Sequence, residues 1–268
     1  MAYKNAVNNE NATPLSVAEP IVEEKNFGVI VPENMYFGVD TLFPANTQLQ
    51  NNITLFDWVE RNKLQPNFWG RNIIGTNCIT KEEINFLHHH GCRVALIYQP
   101  ISPKETEEDG ILSAQEIFDH IFKLGMRKDI AVFLEIKDTE AVTDSYMLGF
   151  AKELLNLNLT PGFKANTDAQ FTFDRKFSRC LNNYRDIFEK CIVWATAPDL
   201  DEYYRTTNAH LVHPDVWIPF APSGISKNDI CIWRYGKECH PIYDEINREI
   251  TFNVNLTKET NTIFKYMI

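Results

Sequence analysis

Short apolar runs, each ending in a polar or aromatic residue, recur along this chain of 268 residues and restrict its fold more than any other feature. Helix-like stretches separate most of the runs. Strands of a parallel sheet that is covered on both faces are apolar throughout, and the sites of such folds lie at the carboxyl ends of the strands. The pattern therefore predicts an α/β fold with its chemistry at the strand ends. The runs cover residues 36–40, 68–72, 94–99, 132–135, 162–166, 191–196 and 231–235.

The alternation of strand and helix continues to about residue 197 and weakens after residue 200. Helices are predicted at 52–63, 80–90, 113–125, 139–157 and 175–188, and strands at 36–40, 68–74, 93–99, 130–136, 160–166 and 191–197. The weaker part suggests a short helix at 199–206, a seventh strand at 217–220 and an eighth at 230–235. Residues 250–256 alternate cleanly and are predicted to pair antiparallel with the eighth strand.

Repeated β-α-β units leave two architectures, a closed barrel and a doubly wound open sheet. The barrel is favoured because every unit contributes a strand-end residue, whereas an open sheet gathers its site at one crevice. In addition, no glycine-rich phosphate loop follows the first strand. We therefore predict a single (β/α)8-type TIM barrel over residues 31–268, irregular in its last units and with a C-terminal β-hairpin. Residues 1–30 are polar and rich in asparagine, which predicts a flexible or docked N-terminal arm.

Two helix starts are predicted from capping residues. Thr80 and Glu83 form a capping-box pattern, and Ser113 with Glu116 repeats it after an acidic, proline-containing loop over 100–110. The first of these helices is predicted to end at Gly91, because glycine readily adopts the left-handed backbone of a helix end.

Composition excludes several classes of partner. The formal net charge is −10 and the sequence pI is about 5.2. Nucleic acids and anionic membrane surfaces attract basic faces, and none is visible here. No apolar segment is long enough for a transmembrane helix or for the core of a signal peptide. A cytoplasmic location or release by a non-classical route is therefore expected. The sequence leaves the oligomeric state open.

Two carboxylates close predicted strands and are the candidate catalytic residues. Asp40 ends the first strand and Glu135 ends the fourth. In a barrel, strand ends converge over one pocket, and glycoside hydrolysis needs such a pair, with one carboxyl neutral and the other ionised. The alternative is structural: Asp40 caps a helix or pairs with Arg71.

Aromatic and polar residues at the strand ends form a candidate saccharide-binding set. Aromatic rings stack on the apolar faces of sugars, and polar side chains bind the hydroxyl groups. Arg71 is a candidate for orienting a carboxylate or binding an anion. For the aromatic residues the alternative is packing in the barrel wall. The predicted binding residues are Arg71, Tyr98, Gln99, Trp194, Trp233, Tyr235 and Asn253.

Neither a metal nor a cofactor is predicted. The run His88-His89-His90 points in three directions on a helix, so it is unsuited to chelating one ion. His210 and His213 are three residues apart, but no third ligand is evident. No Gly-x-Ser-x-Gly elbow occurs, which argues against a serine hydrolase of the α/β type.

Several of these motifs together resemble the family-25 glycoside hydrolases, the lysozyme-type muramidases, and still more the related bacterial glycoside-hydrolase-like barrels of unknown function. Gly38-Val39-Asp40 resembles the first strand of the family, and Phe68-Trp69-Gly70-Arg71-Asn72 resembles the second. The start of the helix at Ile79 to Glu83 and the strand over 94–99 continue the likeness. Ile232-Trp233-Arg234-Tyr235 resembles the tryptophan-containing strand near the C-terminus of the family. The likeness extends over about residues 34–256 and implies a barrel that acts on a bacterial cell-wall or related polysaccharide.

Departures from the family pattern separate two hypotheses. Where the resemblance implies Asp-x-Glu, this chain has Glu135-Ile136-Lys137, and where it implies Asp-x-Asn, it has Asn253-Val254-Asn255. The first hypothesis is a glycoside hydrolase with Glu135 as acid/base and Asp40 as partner, in which Asp138 is a possible replacement acid. The second is a degenerate barrel that binds glycan or a protein partner without hydrolysis. An unrelated barrel enzyme, such as a lyase or a metal-dependent hydrolase, is a weaker third option.

Overall fold

The computed structural model describes residues 35–49, 52–61, 65–100, 102, 105–126, 129–137, 142–200, 214, 216–239, 250–258 and 262–268. The N-terminal arm predicted for residues 1–30 and the short helix predicted to extend to residue 206 therefore lie wholly or largely outside the described residues. Asp138, His210 and His213 also lie outside them.

Eight strands form a closed barrel in chain order, as predicted. Neighbours from β1 to β7 pair in parallel, whereas β8 pairs antiparallel with both β7 and β1 and so closes the barrel. The strands are β1 Met35–Asp40, β2 Phe68–Asn72, β3 Arg93–Tyr98, β4 Ala131–Ile136, β5 Thr160–Ala165, β6 Ile192–Ala195, β7 Ile230–Cys239 and β8 Phe252–Lys258.

Helices cover the outside of the barrel between the strands. They are α1 Leu55–Arg61, α2 Lys81–His89, α3 Glu107–Lys123, α4 Asp144–Asn156, α5 Thr172–Asn183 and α6 Arg185–Phe188. As predicted, α2 begins after Thr80, whose hydroxyl accepts from the backbone N–H of Glu83, and it ends before Gly91, which has a φ of 72°.

The predicted start of α3 was wrong. The helix begins six residues before Ser113, because Thr106 and Asp109 form a complete capping box within the segment that was predicted to be a loop. Ser113 is instead buried in the middle of the helix, where its hydroxyl oxygen lies 3.3 Å from that of Tyr98 and 3.0 Å from that of Tyr146. The helix therefore packs on the barrel through a hydrogen-bonded trio of hydroxyl groups.

The last units differ from the prediction in one strand. Residues 217–220 are not a strand, so the segment at 230–235 belongs to the seventh strand and the alternating segment near residue 250 belongs to the eighth. The predicted antiparallel pairing of these two segments is confirmed. The C-terminal hairpin is thus the closing pair of the barrel itself.

The amino end of the barrel is closed by the C-terminal segment. A short 3-10 helix, Thr262–Tyr266, places Ile263 and Met267 in the interior cluster with Phe68. The last residue, Ile268, exchanges two backbone hydrogen bonds with Val94. With this end filled by apolar side chains, the polar interior is confined to the carboxyl ends of the strands.

Candidate functional site

A single ammonium group joins the two predicted carboxylates. Lys164, on β5, places its Nζ 2.6 Å from Oδ2 of Asp40 and 3.1 Å from Oε1 of Glu135. The two carboxylate oxygens therefore cannot be further apart than the sum of these distances. The pair predicted from the sequence is brought together, but with a cation between its members.

Asp40 is held by a complete set of hydrogen bonds. In addition to the bond from Lys164, its Oδ2 accepts from Nδ2 of Asn253 at 2.8 Å, and its Oδ1 accepts from Nδ2 of Asn255 at 2.8 Å. The residue is 3% exposed. A buried carboxylate is tolerated only when it is paired and hydrogen-bonded, and these three donors meet that condition.

The electrostatics of the site keep Asp40 ionised. Burial alone would raise the pKa of this carboxyl group. The positive charges of Lys164 and Arg234, together with the hydrogen bonds from Lys164 and Asn253, outweigh that effect and hold its pKa below the usual value. Asp40 is therefore an anion at neutral pH and has no proton to donate.

The floor of the site is a tryptophan that also holds the cluster together. Trp194 is fully buried, and its Nε1 donates to Oδ1 of Asn255 at 2.9 Å. The Nζ of Lys164 lies 4.8 Å from the centroid of the tryptophan ring, within the range of a cation–π contact. Gly70 makes this arrangement possible, because a Cβ there would lie 2.6 Å from Cβ of Asp40 and 2.9 Å from Cη2 of Trp194.

Two adjoining clefts open above this cluster. Their volumes are about 370 Å³ and 240 Å³, and both are lined by residues at the carboxyl ends of the strands. Glu135 lines both clefts and its side chain is 16% exposed, so it is the member of the acid pair that a ligand can reach. Five charged side chains belong to both clefts: Glu135, Lys137, Lys164, Arg234 and Lys237.

Three other predicted residues lie at or beneath the clefts. Gln99 and Asn253 line the smaller cleft. Trp194 points into the barrel, but it lies below the clefts and supports the site from beneath.

Four predicted binding residues lie on the outer side of the barrel wall, against the helices. Tyr98 is hydrogen-bonded to Ser113 of α3, and the indole of Trp233 donates to the carbonyl of Pro198. Tyr235, two residues beyond Trp233, lies in the same outer cluster. The prediction that these aromatic residues line the pocket is wrong. Successive residues of a strand point to opposite faces of the sheet, and these three point outward.

Arg71, the fourth of these residues, is part of the helix packing. It is fully buried, and its Nε and Nη2 donate to the carboxylate of Glu83 at 2.8 and 3.3 Å. Its remaining donors bind the carbonyl oxygens of Thr41 and Asn77. The expected pairing of Arg71 with Asp40 is therefore wrong, and four of the five N–H donors of the guanidinium group are bound within the protein.

Several residues of the site were missed in the sequence, among them Lys164, Asn255, Arg234 and Lys237. Lys164, Asn255 and Arg234 all point inward, and Arg234 does so between the outward residues Trp233 and Tyr235. A signal was present in β5, where a lysine interrupts the apolar run over residues 161–165. Arg234 gave no such signal. The register of β7 shifts on both sides of this residue, so simple alternation along the strand does not show which side chains point inward.

The predicted absence of a metal site is tested only in part. Among the residues that the structure describes, no three His, Cys, Asp or Glu side chains are grouped so that they could hold an ion. His88, His89 and His90 are exposed at the end of α2. Within the same residues no helix has the length and apolar character needed to cross a membrane.

The comparisons with known proteins agree with the fold. No protein-family profile and no curated protein matches the chain. An uncharacterized protein of B. stearothermophilus matches with a TM-score of 0.69 and 21% identity, over 87% of this chain and 100% of that one. This match shows that the two proteins share the barrel fold.

Two further solved structures match at a greater distance. GHIP, a glycosyl hydrolase 25 of Streptococcus pneumoniae, matches with a TM-score of 0.48 and 10% identity over 87% of this chain and 92% of that one. The modular autolysin LytC of the same species, solved with a synthetic peptidoglycan ligand, matches with a TM-score of 0.48 and 12% identity. That match covers 85% of this chain and 47% of LytC, so the chain spans about half the length of LytC.

Proposed function

We propose that this barrel binds a saccharide in the two clefts at its carboxyl end and does not hydrolyse it. The observation that carries the proposal is the position of Lys164, whose ammonium group lies between Asp40 and Glu135. The resemblance of the sequence to glycoside-hydrolase-like barrels supports the choice of a saccharide, and a bacterial cell-wall glycan or a related polysaccharide is the first class to test.

The lining of the clefts suits a hydrophilic ligand. Hydroxyl groups of a sugar need many donors and acceptors, and amide and hydroxyl side chains supply both. Gln99, Asn166, Thr196 and Asn253 all line the clefts. Phe220, which is exposed, adds aromatic surface at the edge of the larger cleft, against which the apolar face of a sugar ring can pack.

The acid pair is unsuited to hydrolysis for a physical reason. A glycosidase needs one protonated carboxyl group to donate to the leaving oxygen. Asp40 is ionised and has all its hydrogen bonds made within the protein. Oε1 of Glu135 lies 3.1 Å from the ammonium of Lys164, so this carboxylate is already engaged in an ion pair within the protein.

A hydrolase is the second candidate, and one observation favours it. Glu135 is the carboxylate that faces both clefts, so a substrate seated there would meet it directly. In this alternative Glu135 is the acid/base and Asp40 the partner, and Lys164 would have to move away from Glu135 during the reaction.

Binding to insoluble polymers tests the proposal. The protein is incubated with peptidoglycan, chitin, cellulose and other polysaccharides, and the bound fraction is measured after sedimentation. We expect retention on at least one polymer and a loss of retention in Gln99→Ala, which removes an amide that lines the smaller cleft without disturbing the hydrogen bonds of Asp40. Asn156→Ala, on an exposed helix turn, is the matched control. Failure to bind any polymer would contradict the proposal.

A further inference from the structure

The wall that the two clefts share carries an excess of positive charge. Of its five charged side chains, Lys137, Lys164, Arg234 and Lys237 are cations, and Glu135 is the one carboxylate. The chain as a whole has a net charge of −10, so this excess is local. Asp168 and Asp199 line only the larger cleft, and Asp40 and Glu238 only the smaller.

Most of these charges are already used within the protein. Lys164 is bound to Asp40 and Glu135, and Lys237 lies 3.6 Å from Asp199. Asp168 accepts from the backbone N–H of Gln170. Lys137 also interacts with another group. Arg234 is the cation of the shared wall that remains.

The side chain of Arg234 has no hydrogen-bond partner in the described part of the chain. Its guanidinium lines both clefts, and its Nε atom is buried without an acceptor. Its charge acts on Asp40, but the oxygens of Asp40 accept from Lys164, Asn253 and Asn255 instead. A buried donor without a partner is costly, and an arginine fork matches the two oxygens of a carboxylate.

We propose that Arg234 binds a carboxylate carried by the saccharide, so that the clefts select acidic sugars over neutral ones. This inference rests on the proposed function and names its ligand class. Phosphate would also suit a guanidinium group, and the test separates the two anions.

The first experiment observes the Arg234 Nε–H signal directly by ¹⁵N–¹H NMR, with the signal assigned from its absence in Arg234→Gln. The probes are D-glucuronate, D-glucose and glucose 6-phosphate. We expect glucuronate to shift the signal and glucose to leave it in place. No shift with glucuronate would overturn the inference, and a shift with the phosphate alone would replace carboxylate by phosphate.

The second experiment compares oligogalacturonate with its methyl ester, in which each carboxylate is replaced by an uncharged ester group. We expect the acid to bind about tenfold to a hundredfold more tightly, which is the range for a charged hydrogen bond. Arg234→Gln should remove this preference and Arg234→Lys should keep part of it. Arg185→Gln is the matched control, because that arginine is exposed on α6.

The outcomes distinguish the two proposals. Equal binding of acid and ester by the native protein would overturn the role of Arg234 and leave saccharide binding intact. Binding of neither oligomer, with a glucuronate shift at Arg234, would contradict saccharide-chain binding and support the anion site. Thermal melting of each variant shows that it is folded.

Discussion

Replacing Lys164 with methionine should destabilise the protein strongly. The substitution keeps much of the side-chain volume and removes the one cation, among the described residues, that forms an ion pair with Asp40. Asp40 is 3% exposed and retains only the two asparagine donors, so its charge is left without an ion-pair partner. Breaking a buried pair from one side costs about 3–5 kcal/mol. For a domain of this size that corresponds to a fall in Tm of roughly 6–20 °C.

The pH dependence gives this prediction a second readout. The pKa of Asp40 is lowered in the folded protein, so the stabilisation from its ionised form is present above the unfolded pKa of about 3.9 and is lost as the pH falls through the folded pKa. In Lys164→Met the carboxyl group protonates more readily. The loss in free energy of unfolding, relative to the native protein, should therefore be smaller at pH 4 than at pH 7.

Urea unfolding at several pH values measures both effects. The double variant Asp40→Asn with Lys164→Met removes both charges and should recover part of the lost stability, because the neutral amide needs no counter-ion. The recovery is incomplete because the new amide has one acceptor oxygen for the two asparagine donors. Lys152→Met is the control: it breaks an exposed pair with Glu107 and should cost no more than about 1 kcal/mol. A Lys164→Met protein as stable as the native one, or a deficit that is the same at both pH values, would refute the electrostatic account of the cluster.

Two further substitutions test the packing around the site. Gly70→Ala should lower the free energy of unfolding by about 1–3 kcal/mol, because the new Cβ would overlap Asp40 and Trp194. An unchanged Tm would show that these two side chains can move to make room for the methyl group. Glu83→Gln leaves the buried Arg71 without its counter-ion and should cost about 3–5 kcal/mol in urea unfolding, whereas a cost below 1 kcal/mol would mean that the carbonyl acceptors alone satisfy the guanidinium group.

The barrel could be predicted from the sequence because composition alone identifies its strands. Strands buried on both faces are apolar throughout, and the helix starts and ends carry capping residues that are recognisable in isolation. The start of α3 was predicted wrongly because that prediction also relied on composition. Thr106 and Asp109 form a capping box as good as the one expected at Ser113, but they lie in an acidic segment with the composition of a loop.

The candidate site was harder to predict because it depends on which face of each strand is inward. Asp40 and Glu135 were identified, but a shift of one residue separates an inward side chain from an outward one. Arg71 and Tyr98 lie at strand ends and point outward, so strand position alone could not exclude them. The irregular register of β7 removed the same information for Arg234.

Release of reducing ends is the measurement that tests the central claim most directly. The native protein is incubated with the polymer that retains it, from pH 4 to pH 8, and new reducing ends are counted against Glu135→Gln. We predict no release from either protein at any pH, with binding to the polymer preserved in both. Release by the native protein that disappears in Glu135→Gln would contradict the account and establish a hydrolase that works despite the lysine between its carboxylates.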